Sequence, residues 1–196
     1  MEFYVETTDY TGSSSALLMV LNHFNKLELT RENEFQIWRK TALLPVRASS
    51  IYGLALYAKE LGLDPKIYVE NKEYEYPNYR FKSYTLKEIN HAKFTSNLIL
   101  KEAEQKGIKI YEKKITLDDI KKFLKEDRIL LVRMNVGVFR DHKAQSNFVV
   151  VYGYGDKKFL IMDPKVGKKL IPEDQFKESF ETVVTKCKRD NRAIVF

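Results

Sequence analysis

The chain has 196 residues, of which 44% are hydrophobic and 13% aromatic, and this is enough for one domain, residues 1–196, with a buried core. No apolar run reaches the roughly 18 to 20 residues of a membrane-spanning helix, and the acidic N-terminus is unlike a secretory signal. The one cysteine, Cys187, excludes an internal disulfide and is typical of a reducing compartment. We therefore expect a soluble cytoplasmic protein.

The formal net charge of +7 admits acidic partners, including nucleic acid. The basic residues are interspersed with 27 acidic ones and fall mostly on predicted helix faces, which favours an ordinary solvated surface. The three histidines, His23, His91 and His142, are scattered along the chain and have no zinc-ligand spacing. We therefore expect neither a metal nor a cofactor.

Helical patterns dominate the first 125 residues. Apolar residues recur with a period near 3.6 in five segments, which are residues 13–25, 31–42, 49–61, 85–106 and 116–125. Thr30 is suited to cap the second of these helices, and Gly62 is suited to end the third. Thr85 and Glu88 form a capping-box pattern at the start of the fourth.

The remaining residues change to a strand pattern. β-branched and aromatic runs predict strands over residues 129–134, 147–154 and 158–162, and Gly155-Asp156 signals a hairpin turn between the last two. A final helix is expected from Pro172 to about Thr182, and residues 193–196 are expected to form an edge strand. Helices followed by an antiparallel sheet indicate an α+β fold.

Residues 74–84 alternate aromatic and charged side chains, with Pro77 between Tyr76 and Tyr79. Such alternation is the ordinary signature of a strand or hairpin with one face on the core, and this is the interpretation we favour. The alternative is an exposed aromatic and basic surface, able to stack bases and thus to bind nucleic acid.

Two motifs carry a more specific resemblance. Residues 7–21 form a polar turn that leads into an apolar helix, and Ser146-Asn147-Phe148 begins a valine-rich strand that is followed by Asp163-Pro164. Both resemble the C-39-like peptidases, the bacteriocin-processing branch of the papain-like cysteine hydrolases, whose first motif resembles Gln-Thr-Thr-Asp-Tyr-Thr-Cys-Gly-Pro-Ala. Trp38-Arg39 and Tyr52-Gly53-Leu54-Ala55 are also similar to this family. The match is weak over residues 71–107, which are expected to hold an insertion.

The resemblance implies a papain-like fold in which the N-terminal helices pack on an antiparallel sheet, with the reactive groups replaced. It assigns Glu6 to the position of the oxyanion glutamine, Gly12 to the nucleophilic cysteine, Asn147 to the histidine and Asp163 to the acid that orients it. Glycine has no atom that can attack a carbonyl, and asparagine cannot transfer a proton near neutral pH. A carboxylate at position 6 would oppose a developing negative charge.

These assignments predict a catalytically inactive homologue that binds a peptide or protein in the remnant cleft. Ser13 and Ser14, at the start of the first helix, could help to bind an anion or a peptide terminus there. A rival interpretation is an active hydrolase in which Ser13 and His142 are rewired as nucleophile and base. Serines at a helix start more often act as caps, and we expect that role here. The basic residues around Cys187 predict a lowered thiol pKa, although no histidine is near it in sequence.

Overall fold

The computed structural model describes residues 1–73 and 84–196 of the chain. Its seven helices are α1 Gly12–His23, α2 Arg31–Thr41, α3 Ile51–Glu60, α4 Leu86–Gln105, α5 Leu117–Lys125, α6 Gly137–Arg140 and α7 Glu173–Thr185. Its nine strands are β1 Ala42–Leu43, β2 Ala48–Ser49, β3 Lys66–Val69, β4 Lys109–Glu112, β5 Leu130–Asn135, β6 Ser146–Gly155, β7 Lys158–Asp163, β8 Gly167–Pro172 and β9 Arg192–Val195. Within these two ranges, no helix has the length and apolar character needed to cross a membrane.

Seven of the strands form one sheet in the order β4-β3-β9-β5-β6-β7-β8, and β1 and β2 form a separate short hairpin. All neighbours in the large sheet are antiparallel except β3 and β4, which run parallel. The strand expected near residues 193–196 is present, but its expected position at the edge of the sheet is wrong, because β9 lies between β3 and β5 and pairs with both. All four residues of β9 are buried, as a central strand requires.

The sheet is covered by helices on both faces, and alternate residues of a strand enter different cores. On β9, Ile194 joins the core that contains α1 and α3, whereas Ala193 and Val195 join the core that contains α5 and α7. On β5, Leu131 joins the first of these cores and Leu130 joins the second. This period of two is the expected behaviour of a sheet that is buried on both sides.

Local sequence signals explain where several of the elements begin or end. The Thr30 side chain accepts a hydrogen bond from the Asn33 N–H at the start of α2, and Thr85 forms the predicted capping box with Glu88 at the start of α4. The hairpin between β6 and β7 is confirmed, with its two turn residues one position later than the predicted pair. Asp156 and Lys157 both have positive φ, which suits the twist of the flanking strands.

Candidate functional site

The N-terminus of α1 lies against the sheet near the start of β6. Gly12, the first residue of the helix, is buried, and Thr11 precedes it without a side-chain capping bond. The expectation that the serines cap this helix is therefore wrong. The Ser15 hydroxyl donates to Glu34 Oε1 at 2.8 Å and lies 3.2 Å from the Thr11 carbonyl oxygen, and the Ser14 and Ser49 hydroxyls lie 3.4 Å apart.

Glu34 of α2 fixes the segment that leads into α1. This fully buried carboxylate accepts hydrogen bonds from the Thr7 N–H at 3.0 Å, the Thr7 hydroxyl at 2.6 Å, the Ser15 hydroxyl at 2.8 Å and the Tyr4 hydroxyl at 3.0 Å. Burial alone would raise the pKa of Glu34, but the nearby Thr11 hydroxyl and the hydrogen bonds from Thr7 and Ser15 outweigh burial and lower the pKa below its ordinary value. Glu34 therefore acts as an ionised anchor, and sequence analysis missed it.

The structure brings Glu6, Gly12 and Asn147 together. A Cβ atom built on Gly12 would lie 2.4 Å from Glu6 Oε2 and 2.7 Å from Asn147 Nδ2. Both distances are shorter than ordinary contacts of a Cβ atom, so the ends of these two side chains occupy the space that a side chain at position 12 would need. The Asn147 Oδ1 atom accepts a hydrogen bond from the Phe148 N–H at 2.8 Å. Gly12 has no side chain that could act as a nucleophile, and the Asn147 amide is neither a nucleophile nor a base near neutral pH.

The backbone of Glu6 is fixed by a hydrogen bond, whereas its side-chain carboxyl lies in a place that is unfavourable for a negative charge. Its N–H donates to the Pro164 carbonyl at 2.9 Å, which ties the N-terminal segment to the residues just after β7. Its Oε2 atom is buried and has no hydrogen-bond partner among the described residues. Burial raises the pKa of Glu6, and the charges of Arg140 and Lys165 only partly offset that rise. The site therefore disfavours the ionised form of Glu6 relative to a glutamate in water.

Asp163, the predicted acid, is fully buried and belongs to a different network. Arg140 donates to it twice, from Nε to Oδ2 at 3.1 Å and from Nη2 to Oδ1 at 2.8 Å. The Asp163 Oδ1 atom also accepts the N–H groups of Lys165 and Val166. Because the oxygens of the Asp163 carboxylate already accept these hydrogen bonds, the residue has a structural role that does not require a histidine. Sequence analysis missed Arg140.

Gly137 makes the approach of Arg140 possible. Arg140 ends the short helix α6, whose chain turns back through His142 and Lys143 towards β6. A Cβ atom at Gly137 would lie 2.5 Å from the Lys143 carbonyl oxygen and 2.8 Å from the His142 carbonyl oxygen. Because both neighbours are backbone atoms that cannot move aside cheaply, this turn requires glycine.

An open cleft of about 220 Å³ lies beside Gly12. One side is formed by the residues around the start of α1 and the start of β6, and the other by the β1–β2 hairpin and Tyr84. The lining residues are Asp9, Tyr10, Gly12, Ser13, Val46, Arg47, Ala48, Ser49, Tyr84, Gln145, Ser146 and Asn147. Of the two serines predicted to bind an anion or a peptide, Ser13 lines this cleft, whereas Ser14 is fully buried.

The alternative Ser13–His142 pair has no support in the geometry. His142 is exposed and lies outside the residues that line the cleft, and its Nδ1 atom is 3.4 Å from the Lys143 carbonyl oxygen. Within the part of the chain that the structure describes, no hydrogen bond joins Ser13 to His142. The prediction for Cys187 is wrong, because partial burial raises its thiol pKa against the opposing effects of Arg189 and Lys186.

Of the aromatic stretch 74–84, residues 74–83 lie outside the described residues, and Tyr84 accepts a hydrogen bond from Arg47 Nε at 3.1 Å. Across residues 1–73 and 84–196, no three His, Cys, Asp or Glu side chains are grouped so that they could hold a metal ion.

Comparisons with known proteins agree with the resemblance seen in the motifs. The sequence profile of the Peptidase_C39 like family matches residues 1–185. No curated protein matches the chain. The fold is similar to the crystal structure of a double glycine motif protease from an AMS/PCAT transporter in complex with the leader peptide, with a TM-score of 0.51 and 15% sequence identity over 98% of this chain and 88% of that one. At this identity the likeness shows the fold alone, and it confirms the predicted papain-like α+β architecture.

Proposed function

The chain belongs to the Peptidase_C39 like family, and we propose that it is a non-catalytic member that binds a peptide in the cleft beside Gly12. Fold and family do not fix activity, so the proposal depends on the residues of the site. The observation that carries it is that the side chains of Glu6 and Asn147 fill the space beside Gly12, whereas the neighbouring cleft is open.

The chemistry of these three residues supports the absence of peptidase activity. A papain-type mechanism needs a thiolate, a proton-accepting histidine and donors for the oxyanion, and these groups act as a unit. Gly12 offers no nucleophile, and Asn147 offers no base. The buried carboxyl of Glu6 takes the predicted place of an oxyanion donor, and its raised pKa reflects a site that disfavours negative charge.

The shape of the cleft supports peptide binding. It is lined by Arg47 and Tyr84 on one side and by Tyr10, Gln145, Ser146 and Asn147 on the other, so it presents both apolar surface and hydrogen-bonding groups. The structurally similar protease was crystallised with a leader peptide bound, and this precedent makes a peptide the first ligand class to test.

Two measurements test the proposal. In the first, the chain is incubated with fluorogenic peptides that carry a double-glycine site, and we expect no turnover above buffer for the native chain or for Ser13→Ala. In the second, heptapeptides are selected on the immobilised native chain from a displayed random library, and their affinities are measured by fluorescence anisotropy. Ala48→Trp, which places an indole in the cleft, should weaken their binding at least about tenfold.

The matched control is Asn90→Trp, which adds the same group at an exposed position on α4 outside the cleft, and it should leave the affinities unchanged. Turnover by the native chain that is lost in Ser13→Ala would overturn the non-catalytic assignment and favour the rewired hydrolase. Peptides that bind Ala48→Trp as tightly as the native chain would instead overturn the assignment of the cleft.

A further inference from the structure

The backbone of Arg47, in the turn between β1 and β2, is held in an unusual conformation. Its φ is +57°, a region that L residues other than glycine rarely adopt. The Trp38 indole N–H donates to the Arg47 carbonyl at 3.0 Å and thereby fixes the residue on the edge of the cleft. A non-glycine residue in this region carries a free-energy cost that is often found where a side chain must be aimed.

The side chain of Arg47 is also held in place. Its Nε atom donates to the Tyr84 hydroxyl at 3.1 Å, and its guanidinium carbon lies 4.9 Å from the centre of the Tyr10 ring. The Tyr10 ring in turn lies 5.1 Å from the ring of Trp38. The contacts with Tyr84 and Tyr10 use the Nε edge and one face of the guanidinium, so the edge formed by Nη1 and Nη2 remains available.

This available edge has no acidic partner among the described residues. Among the residues that the structure describes, no carboxylate lies within ion-pair distance of Arg47, and neither Nη atom makes a hydrogen bond. The other charged residue that lines the cleft is Asp9, whose Oδ1 atom lies 3.4 Å from Lys165 Nζ. The cleft therefore contains an oriented cation whose paired donors match the geometry of a carboxylate.

We propose that Arg47 binds a carboxylate of the peptide ligand, through Nη1 and Nη2, in the cleft beside Gly12. This inference rests on the proposed function, and it names the ligand class as a peptide with a free C-terminal carboxylate or an acidic side chain. A single arginine in a small cleft suits one carboxylate, whereas a nucleic acid is typically held by several phosphate contacts. The net charge of +7 also favours an acidic ligand at long range.

The test uses the heptapeptides selected on the native chain. Each is resynthesised in three forms: as selected, with an amidated C-terminus, and with every Asp and Glu replaced by Asn and Gln. Affinities are measured by fluorescence anisotropy for the native chain, for Arg47→Gln and for Lys101→Gln, which removes the same charge at an exposed position on α4 outside the cleft. A twelve-residue oligothymidylate is titrated in parallel.

We expect one of the two neutralised forms to bind the native chain about tenfold more weakly, and to bind Arg47→Gln no more weakly than the unmodified peptide does. Loss on amidation identifies the C-terminus as the carboxylate, and loss on the Asn/Gln exchange identifies an acidic side chain. Lys101→Gln should behave as the native chain. Circular dichroism checks that Arg47→Gln is folded.

Three results would overturn the inference. If the selected peptides bind equally well in all three forms, Arg47 does not bind a carboxylate, although the proposal of peptide binding would stand. Failure to select any peptide would remove the inference together with the proposed function. Oligothymidylate binding that depends on Arg47, without peptide binding, would assign the arginine to phosphate instead.

Discussion

Arg140 and Asp163 form a buried two-point ion pair, with one side chain 6% exposed and the other 0% exposed. This pair joins α6 to the end of β7, and the carboxylate also accepts two backbone N–H groups that follow it. The aspartate that resembles a catalytic acid is thus explained by the support it gives to the fold. Its presence alone says nothing about peptidase activity.

Breaking this pair from one side should destabilise the protein strongly. Arg140→Met leaves the Asp163 carboxylate buried without its countercharge, which typically costs about 3–5 kcal/mol. Urea denaturation at pH 7 measures the change in the free energy of unfolding. Lys40→Met is the matched control, because it breaks the exposed pair between Lys40 and Glu60 and should cost at most about 1 kcal/mol. Equal losses in the two variants would contradict a structural role for Arg140.

The Glu34 anchor predicts a loss of stability in acid. Its folded pKa is lowered, so its contribution is complete above the pKa of an unfolded glutamate, about 4.3, and is lost as the pH falls through the folded pKa. Glu34→Gln should cost about 2–3 kcal/mol at pH 7, because an amide cannot accept all four hydrogen bonds. The difference between the native chain and this variant should shrink below pH 4. A difference that is independent of pH would show that the charge of Glu34 is not what the donors stabilise.

Glu6 predicts the opposite dependence of stability on pH from Glu34. Its folded pKa is raised, so the neutral form is favoured in the fold, and stability is lost as the pH rises through the folded pKa. Glu6→Gln should therefore stabilise the protein at pH 7, by about 1 kcal/mol or less because the residue is only partly buried. The gain should shrink as the pH falls below the pKa of an unfolded glutamate, about 4.3, because the carboxyl then becomes neutral in both the folded and the unfolded state. Unfolding curves for both proteins from pH 4 to pH 8 provide the test, and destabilisation at pH 7 would contradict it.

The crowding above Gly12 predicts an energetic coupling between three residues. Gly12→Ala places a Cβ atom against Glu6 and Asn147 and should cost about 1–3 kcal/mol. In a background that carries Glu6→Ala and Asn147→Ala, the same change should be close to neutral, because the two obstructing side-chain ends are gone. The free energies of unfolding of the four proteins complete the cycle. Additive effects would mean that Gly12 is required for another reason.

The sequence was sufficient to predict the elements whose signals are local. The amphipathic pattern and caps of α2, α4 and α5 lie within each helix, and the valine-rich strand β6 with its hairpin is equally self-contained. The short strands β3 and β4 were missed because four residues carry too little pattern. β8 was also not predicted, although it pairs along its whole length with β7.

The site was only partly predictable for a different reason. Glu6, Gly12 and Asn147 were named from motif positions, and the structure brings them together, although their roles stay predictions. Glu34 and Arg140 were missed because their partners are 27 and 23 residues away, respectively, and no local pattern relates them. The position of β9 was mistaken because local composition does not record which strands will flank a segment.

The central place of β9 has a consequence for how the protein is assembled. Among the described residues, β3 and β4 are joined to the strands β5 to β8 only through β9, which follows all of these strands in sequence. During synthesis on a ribosome, the two parts of the sheet therefore remain separate until residues 192–195 have emerged. Until then, β3 and β5 each present an unpaired edge to other chains, which makes a stalled nascent chain prone to aggregation.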